Sequence, residues 1–168
     1  IPTVFSRIID GNIGYVQVTE FNESTATQFS NQVDTLIGQG AQALVFDMRN
    51  NGGGTLSSVT KMLDKLLPEG DIISAEYKDG TVEVLAKSDE NEIDLPMVVL
   101  TNNRTASAAE LFTQALRDYG KAKSVGVTTY GKGTMQTVKK LNDGSAVNVT
   151  VARYLPPSGV SYDGEGVK

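Results

Sequence analysis

A chain of 168 residues, 39% hydrophobic and 21% charged, can bury one compact core. Its formal charge of −5 argues against nucleic acid as a partner, and no apolar run approaches the ~18 residues of a membrane span. With no His and no Cys, it has no Ser-His-Asp triad, thiol nucleophile, disulfide or ordinary zinc site, leaving Ser, Thr, Lys, Tyr and carboxylates for any catalysis.

Ile13 to Val18 reads as a strand. Phe29, Val33, Leu36 and Ile37 are spaced as one face of a helix, with Ser24 or Thr25 as cap and Gly38 and Gly40 as stops. Ala43 to Met48 is nearly continuous apolar, the pattern of a strand buried on both faces. After a glycine loop, Val59, Met62, Leu63, Leu66 and Leu67 mark a second helix, ended by Pro68. Ile72 to Tyr77 and Thr81 to Ala86 flank Asp79-Gly80, a hairpin signal. Pro96 to Leu100 is another buried strand. Leu111, Phe112, Ala115, Leu116 and Tyr119 form a third helical face, closed by Gly120. A short strand near Ser124 to Val127 follows. Gln136 to Leu141 and Ser145 to Tyr154 then flank Asp143-Gly144 as a second hairpin. The alternation predicts an α/β domain with a mixed β-sheet and flanking helices, occupying residues 1–168 as one unit.

Three stretches can carry chemistry. Asp47 to Gly54 ends in three glycines, whose lack of a Cβ lets backbone N–H groups turn into one concavity; the plainer reading is a flexible turn. Asn102 to Glu110 places Ser107 between a strand and a helix, where free N–H groups and the helix dipole can stabilise an oxyanion. The plainer reading is an N-cap at Thr105 or Ser107, with Glu110 completing a capping box. Gly126 to Gln136 holds Lys132 between two glycines. A lysine acting as a base must be neutral near pH 7, against an ordinary value of about 10.4, and burial away from anions pushes it that way. The plainer reading is a surface lysine in a turn. Gly126 to Lys132 also matches G-x-x-x-x-G-K, but Gly133 stands where a P-loop has Ser or Thr.

Together these blocks resemble the catalytic core of the carboxyl-terminal processing, or tail-specific, proteases of the S41 serine peptidase type. The family pattern D-L-R-N-N-P-G-G stands here as Asp47 to Gly54, S-A-S-A-S-E as Thr105 to Glu110, and F-G-K-G-x-x-Q as Tyr130 to Gln136. Arg117 to Gly120, Asp143 to Ala146 and Ala152 to Gly159 match three more blocks in family order. Gly52 replaces the usual Pro, Thr105 and Ala109 replace serines, and Arg117 replaces a common Gln.

The resemblance implies that Ser107 is the nucleophile, Lys132 the general base and Gln136 the residue that orients it. It implies an oxyanion hole from the N–H groups of Gly53 or Gly54 and Ala108, a supporting role for Asp118, and no metal or cofactor. The implied fold is a ClpP- or crotonase-like sandwich. The implied partners are proteins or peptides with exposed C-terminal tails, and a PDZ module with flanking segments in the same full-length chain. The start at Ile1-Pro2-Thr3, without Met, is read as the point where the core resumes after that module. The family location is the cell envelope, periplasm, thylakoid lumen or cell exterior. The rival expectation is a non-catalytic module on the same scaffold, binding peptides or hydrophobic ligands.

Overall fold

The computed structural model describes all 168 residues. In chain order the elements are β1 (Val4–Ile9), β2 (Ile13–Val18), α1 (Thr25–Gly38), β3 (Ala43–Asp47), α2 (Leu56–Asp64), β4 (Gly70–Tyr77), β5 (Val82–Ser88), β6 (Met97–Thr101), α3 (Ala108–Asp118), β7 (Ala122–Gly126), β8 (Thr134–Lys140) and β9 (Ala146–Leu155). The α/β expectation holds. The strands form two sheets, however: a five-stranded one in the order β1-β2-β3-β6-β7 and a four-stranded one in the order β5-β4-β9-β8. Both sequence-predicted hairpins belong to the second sheet, which is antiparallel throughout.

In the first sheet β2, β3, β6 and β7 run parallel, and β1 pairs antiparallel with β2. The helices cover one face only, α1 against β1 and β2 and α3 against β7, while α2 and α3 also reach β4. Along β3, Leu44 and Phe46 are buried but Ala43 and Val45 are half-exposed. The expectation of burial on both faces is therefore corrected: the helical layer lies on one side, and Val45 and Val98 face the other.

The core centres on four phenylalanines. Phe112 of α3 meets Phe46 edge to face at 5.3 Å and Phe29 at 6.1 Å, with Phe21 at 6.4 Å. Such pairs add about 1 kcal/mol each beyond area burial. They fix α3 against β3 and α1, and so fix the residue at its head, Ser107. Because β3 and β6 are parallel neighbours, the loops that follow them leave the sheet at the same edge.

A candidate active site at the head of helix α3

The two loops are fastened to each other before any catalytic group enters. The Thr105 hydroxyl donates to the Met48 carbonyl at 2.8 Å, and the Ala106 N–H donates to the Asn51 carbonyl at 2.9 Å. The Asn50 N–H donates to Asn102 Oδ1 and the Asn102 side-chain amide donates to Asn50 Oδ1, each at 3.0 Å. The start of the glycine loop is anchored by Asp47, which is 1% exposed and accepts from Tyr15 at 2.5 Å and from Arg49 at 2.6 and 2.9 Å. Burial pushes the Asp47 carboxyl up, but Arg49 and the Tyr15 hydroxyl outweigh it and hold the carboxyl below its ordinary value.

Ser107 sits at the N-cap of α3 with φ 56° and ψ −118°. An ordinary N-cap lies in the β region, so capping does not require this geometry. It is instead the first central position of a type II′ turn, closed by Ala109 N–H to Ala106 O at 3.1 Å. That position normally takes glycine, and a serine there stores roughly 1–3 kcal/mol of strain.

The glycine loop packs directly beneath. A β-carbon on Gly53 would stand 2.8 Å from Ser107 Cβ and 3.0 Å from Ala108 N. One on Gly54, at φ 145°, would stand 2.1 Å from the Phe21 carbonyl oxygen. Both positions therefore exclude a side chain. The Gly53 N–H is used, donating to Asn51 Oδ1 at 2.9 Å. The N–H groups of Gly54 and Ala108 donate to no acceptor in the chain, and both residues line a small cavity with Ser107.

Glu110, wholly buried, joins this half of the site to the next. Its Oε2 accepts from Ser107 N–H and from Lys132 N–H, each at 2.8 Å. Its Oε1 accepts from the Thr129 hydroxyl at 2.6 Å and from Gly131 N–H at 2.5 Å. One carboxylate thus holds the backbone of Ser107 and the backbone of Lys132 on a single oxygen. The sequence presented Glu110 as the end of a capping box. The Ser107 contact fits that reading, and the three bonds to residues 129–132 go beyond it.

The expected site residues are not all brought together. The Lys132 side chain is exposed, and its amine makes no hydrogen bond or ion pair. Lys132 leads into β8 and not into a helix, which removes the P-loop reading. Gln136 is exposed on β8 and turns to β9, accepting from Asn148 at 3.1 Å and donating to Thr150 at 3.4 Å. Asp118 lies at the far end of α3, where it accepts from Gln114 at 2.6 Å and from Ser158 N–H at 3.0 Å. There it ties α3 to the segment after β9.

Comparison with known proteins identifies the family and the fold. The sequence model of peptidase family S41 matches residues 12–168. The carboxy-terminal processing protease CtpA of Bacillus subtilis (strain 168) is 39% identical over all of this chain and 36% of its own length. The chloroplastic C-terminal processing peptidase of Tetradesmus obliquus is 40% identical over 92% of this chain and 34% of its own. The solved structure of a photosystem II D1 C-terminal processing protease superposes with a TM-score of 0.92 at 36% identity, covering 100% of this chain and 47% of that one. The chain therefore spans about a third of the length of these curated relatives. No helix is long and apolar enough to cross a membrane.

Proposed function

Because the chain belongs to peptidase family S41, we propose that it is the catalytic core of a serine endopeptidase that cuts proteins near their C-terminal ends. The observation that carries this reading is the strained Ser107, held at φ 56° over a glycine loop at the head of a helix. A module that merely binds has no use for such strain, whereas a nucleophile presented on a tight strand-to-helix turn does.

In this mechanism the Ser107 hydroxyl attacks the scissile carbonyl carbon while the neutral Lys132 amine takes its proton. The oxyanion is received by the N–H groups of Ala108 and Gly54; Gly53, whose N–H serves Asn51, shapes the floor. The ammonium then gives its proton to the departing amine nitrogen, the C–N bond breaks, and an ester on Ser107 remains. Water attacks that ester, Lys132 takes a water proton and returns it to Ser107, and the new carboxylate leaves.

The open Lys132 must swing inward and lose contact with water for this to work. Its backbone is already held by Glu110, on the oxygen that also holds the Ser107 N–H, and Gln136 would have to turn away from β9 to orient the amine. Parts of the full-length chain outside this core, including the PDZ module and flanking segments, would capture the tail and cover the site. The chloroplastic and bacterial relatives fit a location in the thylakoid lumen or the cell envelope.

The test is degradation of casein, or of a peptide with an apolar tail, by the full-length protein. Ser107→Ala and Lys132→Ala each lower kcat by about 10³-fold or more. Equal turnover by all three proteins removes the dyad.

A further inference from the structure

Lys132 stands between two peptide groups, and each ends on a carboxylate from a different part of the chain. The group before its Cα is held at both ends: the Lys132 N–H donates to Glu110 Oε2 at 2.8 Å, and the Gly131 carbonyl accepts from Gly164 N–H at 2.9 Å. The group after its Cα is held at one end only. Its N–H, on Gly133, donates to Asp163 Oδ1 at 3.0 Å, while its carbonyl, on Lys132, accepts from no group of the chain. Peptide groups are planar, so holding both fixes φ and ψ of Lys132 and the direction in which its side chain leaves the backbone. Asp163 is the sole polar hold on the second group.

The segment after β9 is built to bring Asp163 there. Buried Tyr162 and Val167 bracket it in sequence. The N–H groups of Glu165 and Gly166 close a turn on the Tyr162 carbonyl at 3.2 and 2.9 Å, and Asp163 N–H donates to Ser161 Oγ at 3.2 Å. Val167 N–H fastens the turn to the Thr129 hydroxyl at 2.7 Å. Gly133 admits the approach: a β-carbon there would stand 3.0 Å from Asp163 Cβ. The Asp163 carboxylate has no other partner in the chain and makes no ion pair.

We infer that Asp163 is a positioning residue for the reaction: through the Gly133 N–H it fixes the peptide group that follows Lys132, and so aims the base. This inference rests on Lys132 being the base. Without Asp163 the turn keeps its bonds from Gly164 and Val167, and Gly133 O still accepts from Tyr154 N–H at 2.7 Å. The fold therefore survives, and what is lost is the setting of one peptide group beside the amine. A misplacement of about 1 Å there costs up to ~100-fold in rate.

The test uses the full-length protein and a quenched peptide with an apolar tail. Asp163→Ala lowers kcat by about tenfold or more and leaves KM within about twofold. Asp163→Asn, which keeps an acceptor oxygen, restores kcat to within about threefold of wild type. A double-mutant cycle with Lys132→Ala separates aiming from general support. It is run on a p-nitrophenyl ester, whose good leaving group keeps the slow variants measurable. Adding Asp163→Ala to Lys132→Ala lowers the residual rate by less than about twofold, because there is no amine left to aim. Should Asp163→Ala fail to fold, Asp163→Leu, which keeps the bulk and removes the acceptor, takes its place. An unchanged kcat, a loss confined to KM, or an equal loss with and without Lys132 overturns the inference. Lys132→Ala at the wild-type rate on the peptide sinks the dyad instead; a severely slowed Lys132→Ala beside a fully active Asp163→Ala sinks only the role of Asp163.

Discussion

The proposed nucleophile half and the proposed base half of this site are built differently. Ser107 stands on a helix pinned by Phe112, above a loop fixed by Asp47, Asn51 and two glycines that tolerate no Cβ. Its surroundings are almost all buried. Lys132, just before β8, and Gln136, on β8, have exposed side chains that do not meet. Only the backbone of the base half is fastened, through Glu110. On the proposed mechanism, the core alone organises the attacking hydroxyl and the oxyanion donors, whereas the amine is left for substrate or the rest of the chain to enclose. An enzyme arranged this way keeps its nucleophile ready and its base switchable.

The strongest way to break this comparison is to remove the fastening. Glu110→Ala leaves four donors without their acceptor and is expected to cost about 3–5 kcal/mol in a denaturant titration. Glu110→Gln keeps one acceptor oxygen and turns an NH₂ toward donors. It is expected to fold but to lose at least about 30-fold in kcat with little change in KM, because whichever way the amide turns its NH₂ faces a backbone N–H of the Lys132 loop. If Glu110→Gln changes only KM, Glu110 does not position the base.

Acid tests the anchor of the glycine loop. Asp47 is held below its ordinary value in the folded protein, so its contribution is present above about pH 4 and disappears as pH falls through the folded value. Melting temperature should be insensitive to this group from pH 5 to pH 8 and fall below pH 4. Asp47→Asn should cost about 1–2 kcal/mol at pH 7, since Arg49 is half-exposed, and show a shallower acid limb. An unchanged acid limb contradicts the anchor.

Strain gives a smaller effect of opposite sign. Ser107→Gly should be inactive yet more stable by about 1 kcal/mol, because glycine accepts φ 56° without cost. A less stable Ser107→Gly contradicts stored strain. The smallest effect is expected on the open half: Gln136→Ala should change stability by less than about 0.5 kcal/mol while lowering activity. A large stability loss would mean that β8 is as tightly built as α3.

Legibility in the sequence followed the same division. The Phe29-Val33-Leu36 face, the Asp-Gly hairpins and the Ser107 strand-to-helix turn were readable because period and turn chemistry act locally. β1 was missed: Val4 to Ile9 mixes Ser6 and Arg7 into an apolar run, although Asp10-Gly11 with positive φ offered a hairpin signal. The division into two sheets was not readable, since both are made of similar strands and only long-range pairing separates them. The run at Ala43 to Met48 suggested two covered faces, but composition does not say on which side helices will lie. Glu110 looked like a cap because three of its four bonds span about twenty residues. Gln136, four residues after Lys132, would neighbour it on a helix; in extended backbone that spacing carries the two well apart.

The most direct measurement is a structure of the full-length protein with a peptide acylated on Ser107. The Lys132 Nζ is expected within about 3 Å of Ser107 Oγ and shielded from solvent, with the acyl oxygen facing the N–H groups of Ala108 and Gly54. An amine still in bulk water in that complex would contradict the dyad.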